Sequence, residues 1–178
     1  MYQIKKIKDI SKNVTDGVHS TVIDDKNGSG FLLSCKNIKN SKISFSNDDR
    51  KISQNTLLIL RKRSKLEYDD ILLTSVGTIG EVARVNIKEP NYEFQRSVGL
   101  IKPNHSMVLS KYLLYALQSS FSQNSIKSSI KGGVQPCLFI DDIRNVEIKL
   151  YDHSTQQHIV DSIKQYLLMV QIHYYSRL

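Results

Sequence analysis

At 178 residues, 40% hydrophobic and 24% charged, the chain has the composition of a globular domain with a real core, which excludes a disordered polymer and leaves no room for two full domains. Its 25 Lys and Arg against 17 Asp and Glu give a formal net charge of +8, a balance that favours polyanionic partners. The polar stretch from Gln3 to Lys12 and a longest aliphatic run of only Leu57 to Leu60 predict neither a secretory leader nor a membrane span, and so a cytoplasmic protein.

Taken in chain order, the first hundred residues are short apolar runs separated by Gly, Asn, Asp and Ser, which read as strands. Phe31-Leu32-Leu33 is the first such run. From Lys26 to Lys65 there follow ten basic residues against Asp48 and Asp49, so this segment carries a net charge as large as that of the whole chain. Within it, local propensity assigns Thr56 to Leu60 to a strand. Ile71-Leu72-Leu73 and Val98-Gly99-Leu100-Ile101 are further strand candidates, and Val82, Ala83, Val85 and Ile87 mark an alternating stretch between them.

Helical spacing begins near Ser110, where Leu109, Tyr112, Leu113, Ala116, Leu117 and Phe121 recur at three and four residues and predict one amphipathic helix. Val146 to Leu150 alternates again as a strand. A second helix is predicted from Ser154, which forms a capping box with Gln157. Its apolar positions Val160, Ile163, Leu167, Val170 and Tyr174 follow the three-four spacing of a coiled-coil seam, a pattern that a core-packed helix shares. The fold class is α+β, a recognition domain of short mixed and antiparallel strands with packed helices, closed by a helix of coiled-coil type.

Catalytic constellations are sparse. Cys35 and Cys137 lack the spacing of a zinc site and read as small buried hydrophobes. No Gly-rich cofactor or phosphate loop occurs, and Pro90, Pro103 and Pro136 are never adjacent, which argues against an amino-group methyltransferase. Asp69, Asp70 and Glu81 could be assembled into a small Mg²⁺-dependent nuclease site, although the lysine usual after such a set is absent and strand-end solvation explains these acids equally simply. The five histidines are scattered. No cofactor or metal is expected.

Several segments, read in order, resemble the target recognition domain of type I restriction-modification specificity subunits over nearly the full length. Asp16-Gly17-Val18-His19-Ser20-Thr21 is similar to the family's opening Asp-Gly-x-His segment. Phe31-Leu32-Leu33-Ser34 and Lys36-Asn37-Ile38 resemble the strand and turn that follow it. The block from Lys62-Arg63-Ser64-Lys65-Leu66 through Asp70-Ile71-Leu72-Leu73-Thr74 to Gly77-Thr78-Ile79-Gly80 is the most recognisable. Gln95 to Ile101, the Tyr112-Leu113 helix, the Gly132-Gly133-Val134-Gln135 loop and the closing Gln157-x-Ile159-Val160 helix complete the order. Two departures stand out: Tyr68-Asp69 replaces the common Lys-Gly, and Tyr151-Asp152-His153 stands where the family usually has prolines.

The resemblance implies a recognition domain over residues 1–151 and the start of a spacer and dimerisation helix over residues 152–178. It also implies that Gln54 to Arg63 is a short helix behind Ile52-Ser53, overriding the strand assignment. The implied function is non-catalytic: reading one half of a bipartite double-stranded DNA target and directing adenine methyltransferase subunits and a restriction endonuclease/translocase subunit to it, with a homodimer through the last helix as one arrangement. The specificity region of a fused single-chain restriction enzyme is the alternative. On hydrogen-bonding geometry the DNA-contact candidates are Lys36, Asn37, Lys39, Arg61, Arg63, Lys65, Gln95, Arg96, Lys131 and Gln135. Gly77, Thr78, Gly80, Gly132 and Gly133 are candidates for close backbone approach to phosphate, and equally for turns that need positive φ. The helix-interface candidates are Val160, Ile163, Leu167, Val170 and Tyr174.

Overall fold

The computed structural model describes residues 1–175. It opens with β1 (Gln3–Lys6), the single turn α1 (Ile7–Ile10) and β2 (Ser11–Asp16). After a long loop come β3 (Gly30–Leu33), a 3-10 turn at Cys35–Asn37, the hairpin strands β4 (Ile38–Lys39) and β5 (Lys42–Ile43), β6 (Arg50–Ile52) and α2 (Gln54–Ser64). The middle of the chain is β7 (Ile71–Thr74), β8 (Val82–Arg84), β9 (Tyr92–Phe94) and β10 (Val98–Pro103). The remainder is α3 (Ser110–Gln118), α4 (Ser120–Ser128), α5 (Ile140–Asn145), β11 (Glu147–Leu150) and α6 (His153–Tyr175).

A four-stranded antiparallel sheet in the order β2-β10-β7-β8 forms the centre. Beside it, β3 pairs antiparallel with β6 and parallel with β9, while β1 pairs antiparallel with β11. The architecture is the mixed α+β arrangement expected.

The central strands are apolar on both faces, which is why Ile71-Leu72-Leu73 reads as a run rather than an alternation. Successive side chains still point to opposite sides. Ile71 and Leu73 face the helices with Ile101, Leu113, Leu117 and Ile143, whereas Leu72 and Leu100 face the second sheet with Leu33, Tyr92 and Phe94. Two cores therefore share the central sheet, one on each face of β7, β8 and β10. A smaller cluster of Val22, Leu32, Ile52 and Leu57 seats α2.

Local chemistry explains where the elements differ from the first expectations. The segment from Thr56 to Leu60 is helical: the Ser53 hydroxyl accepts from the Thr56 amide at 3.1 Å and starts α2, and Lys65 ends it with φ 50°. The predicted helix from Ser110 to Phe121 is two helices. Ser119 is extended, ends α3, and accepts from the Ser122 amide at 3.4 Å to begin α4. The alternating stretch from Glu81 contracts to β8, with Val85 still buried but Ile87 exposed.

The last helix starts one residue before the predicted Ser154, and its cap is Asp152. The Asp152 carboxylate accepts from the Thr155 amide at 2.9 Å and from its hydroxyl at 2.8 Å. A capping aspartate thus begins the helix where the family usually has prolines. Gln156, fully buried, pins it to the domain: its side chain accepts from Leu109 N at 2.8 Å and donates to the Met107 and Tyr151 carbonyls. Val160 is buried in the domain core and Ile163 is half-buried, so the first position of the seam belongs to the domain. Leu167 and Val170 are exposed. The side chain of Tyr174, and residues 176–178 of the expected spacer segment, lie outside the described residues. No helix among the described residues is long and apolar enough to cross a membrane.

The Tyr68-Asp69 departure keeps its turn without the usual glycine. Asp69 adopts φ 74°, a left-handed conformation that aspartate tolerates better than most residues. Its carboxylate bonds to Arg84, whose guanidinium lies 5.6 Å from the Tyr68 ring centroid.

Candidate nucleic-acid interface

Four loops converge beyond the ends of β2, β7 and β9. The first bond runs from Val18 N to the Phe94 carbonyl at 2.7 Å, and Arg96 N returns to the Val18 carbonyl at 3.0 Å. Ser75 N donates to Ser97 O at 2.9 Å, and Leu138 N to Ser75 O at 2.9 Å. These bonds weld residues 16–19, 75–80, 95–97 and 131–138 into one surface. Between them opens a cleft of about 630 Å³ whose lining includes Asp16, His19, Gln95, Arg96, Gln135 and Arg144.

Three nominated residues, Gln95, Arg96 and Gln135, therefore share this cleft, although they lie in two loops distant in sequence. Arg63 stands at its edge, donating to Gly17 O at 3.0 Å and to Asp16 Oδ1 at 3.2 Å. His19 bonds the other oxygen of the same carboxylate. Arg144 is anchored on Asp141 at 2.9 Å and on the Val14 carbonyl at 3.0 Å. Arg96 is exposed and makes no ion pair among the described residues. His19 and Arg144 line the cleft beyond the residues that hydrogen-bonding geometry in the sequence nominates. The Asp-Gly-x-His segment marked His19, whereas nothing local marked Arg144.

Other candidates are placed differently. Asn37 is buried, not available to a base edge: its amide donates to both oxygens of Asp49 at 2.9 Å and to the Ser44 carbonyl, and its oxygen accepts from Ser34 N. Lys36 pairs with the same Asp49 at 3.1 Å, while Lys39 on β4 is exposed. Arg61 turns inward to the buried carboxylate of Glu93 and to the carbonyls of Pro90 and Tyr92 at 2.9 and 2.8 Å. With Lys65 it lines a separate concavity between α2 and residues 88–91. Lys131 pairs with Asp142 at 2.7 Å.

Among the glycines, Gly77, Gly80 and Gly132 have positive φ and are turn residues, with Thr78 held between the first two by the Thr74 hydroxyl. Gly133 has no positive φ and open space around it. Cys35 and Cys137 are half-buried, not fully buried, and flank the segment 75–77: Gly77 approaches the Cys35 sulfur and Val76 bridges to Cys137.

The acids considered for a nuclease do not form a site. Asp69 is held by Arg84, Asp70 by Lys102 at 2.9 Å, and Glu81 accepts from Asn40 N at 3.2 Å. Glu81 adjoins Thr74 at one end of the β7-β8 ladder and Asp69 adjoins Val85 at the other, roughly 13 Å apart by strand rise. No group of three His, Cys, Asp or Glu among the described residues is arranged to hold a metal.

Burial pushes the Asp49 carboxyl up, but the hydrogen bonds from Asn37 and Ser46 N and the charge of Lys36 outweigh it and hold it below its ordinary value of 3.8. A carboxylate lowered in this way adds stability above that ordinary value, which is lost as pH falls through the lowered one. Urea unfolding at stepped pH should find Asp49→Ala well below the wild type at neutral pH, with the gap narrowing in acid. A gap independent of pH would remove the ionised carboxylate as its source.

Comparison with known proteins bears on the family and the fold. A family model described as "Type I restriction modification DNA specificity domain" matches residues 2–174. The Escherichia coli type I restriction enzyme EcoBI specificity subunit is 30% identical over 142 residues, covering 80% of this chain and 29% of that protein. The S subunit structure from M. genitalium superposes with TM-score 0.64 at 15% identity, over 93% of this chain and 39% of that one. The HsdS subunit from Thermoanaerobacter tengcongensis gives TM-score 0.68 at 15% identity, over 96% and 43%. The chain thus spans under half the length of each. A family match over nearly every residue, on a fold shared with two such subunits, establishes that the chain belongs to the type I restriction modification DNA specificity domain family.

Proposed function

We propose that this domain reads one half of a bipartite DNA target in the cytoplasm and, without chemistry of its own, brings methyltransferase and endonuclease subunits to it. The observation that carries the reading is the cleft at the loop ends, where the amides of Gln95 and Gln135 converge with the exposed guanidinium of Arg96. Amides match adenine and guanidinium matches guanine in the major groove, while the surrounding cations suit phosphate. The candidates that turn inward, Asn37 and Arg61, are left out of this reading; Lys39, Arg63 and Lys131 remain as rim contacts.

The test is a mobility assay with the assembled subunits on DNA carrying the methylated motif. Arg96→Ala and Gln135→Ala are each expected to weaken binding by about 1 to 3 kcal/mol and to relax preference at one base pair. Lys39→Ala should weaken all sequences alike and shallow the salt slope by about one. Unchanged affinity and selectivity in all three variants would place the DNA face elsewhere.

The exposed end of α6 supports a helix-pairing role, with Leu167 and Val170 left uncovered by the domain. The reading includes a homodimer through this segment. Sedimentation of the wild type should give a dimer and Leu167→Asp a monomer; a wild-type monomer would remove the homodimer.

A further inference from the structure

The loop over residues 131–137 carries a side chain that the reading above leaves unused. Its stem is closed by two backbone bonds, Lys131 N to Cys137 O at 3.0 Å and Cys137 N to Lys131 O at 2.8 Å. The bridge from Val76 to Cys137 and the bond from Leu138 N to Ser75 O fasten that stem to the central sheet. Gly132 makes the turn with φ 96°, and Pro136 restricts the returning strand. Val134 stands at the tip, fully exposed, and the next residue, Gln135, lines the cleft beside Arg96.

The fastened stem holds Val134 in water next to the cleft, where an apolar group on a bound duplex would bury it. Valine forms no hydrogen bond to phosphate or sugar. In the major groove the apolar group on offer is the 5-methyl of thymine, and it lies on the same edge as the N6 and N7 of its paired adenine, which a glutamine amide matches. We propose that this loop reads an A·T pair or step, with Val134 against the thymine methyl and Gln135 on the adenine. The inference rests on the DNA-reading role proposed above and adds the base class and the residue that selects it.

The test uses the complete subunit assembled with its methyltransferase partners, on the motif revealed by the genomic methylation that complex leaves. Duplexes in which each thymine in turn is replaced by deoxyuridine, which lacks only the methyl, are titrated with wild type, Val134→Ser and Gln135→Ala. Burying one methyl corresponds to about a fourfold change in affinity. The wild type should lose about fourfold at one thymine, and Val134→Ser should bind the two duplexes equally. Gln135→Ala should lose its preference at the adenine of the same or the adjacent pair. Selective wild-type binding with no thymine-to-uracil effect at any position, or an effect that persists in Val134→Ser, overturns this inference and leaves DNA reading standing. Absence of any sequence-selective methylation or binding overturns both.

Discussion

Replacing Arg61 with alanine is expected to cost about 3 to 5 kcal/mol of folding stability, the range for removing one partner of a buried ion pair. The reason lies in Glu93, whose side chain is 1% exposed on β9. Burial raises the Glu93 carboxyl, and the Arg61 guanidinium offsets that rise by a direct hydrogen bond and by its charge. Arg61 also donates to the Pro90 and Tyr92 carbonyls, so its loss takes a donor from three acceptors at once and leaves Ser64 as the side-chain donor to Glu93. Urea denaturation of Arg61→Ala should show the loss, and adding Glu93→Leu should return much of it by removing the stranded charge. If Arg61→Ala were as stable as wild type and instead lost DNA affinity, Arg61 would be a reader after all.

Gly17→Ala is expected to destabilise the domain by about 3 kcal/mol or more, the upper end of the range for overpacking. A Cβ at Gly17 would lie 2.1 Å from the Phe94 carbonyl oxygen and 2.3 Å from that of Gln95. Neither is a flexible side-chain end that could move aside. Gly17 also donates to Val98 O at 3.1 Å and accepts from Arg63, so the segment is held from both sides. The added methyl would force apart the joint that sets Asp16 and His19 against Gln95 and Arg96. Thermal melts should show a lowered midpoint, accompanied by weaker sequence-selective binding. Gly133→Ala is the control: nothing lies within 4 Å of its added Cβ, and stability should change by less than about 0.5 kcal/mol. Equal melting of the two variants would refute the close-approach account.

These two residues illustrate how much was legible beforehand. Strands with both faces buried announce themselves as apolar runs, so Ile71 to Leu73 and Val98 to Ile101 were correctly read. The break between α3 and α4 was not, because a serine that caps a helix is the same residue as one inside it until its backbone is known to be extended. Asp152 is hidden as a cap beside Ser154 in the same way, since both residue types cap helices. Gly17 belonged to a recognised segment, yet its role as a point of backbone contact with Phe94 and Gln95 depends on residues almost eighty positions away.

The candidate site divides along the same line. Guanidinium and amide groups bind carboxylates and carbonyls with the donors they would present to guanine or adenine. Arg61 and Asn37 looked suitable for DNA, but Glu93 lies 32 residues from the first and Asp49 lies 12 from the second. No spacing pattern joins such pairs. Sequence by itself determined that this is a basic α+β domain, which family it resembles, and that no recognised cofactor loop or zinc constellation runs through it. Only the tertiary structure decided which polar side chains remain free once the fold is satisfied. It brings Gln95, Arg96 and Gln135 to one cleft and turns Asn37 and Arg61 inward. The physical reason is that binding chemistry resides in residue type, whereas availability depends on what the distant chain has already used.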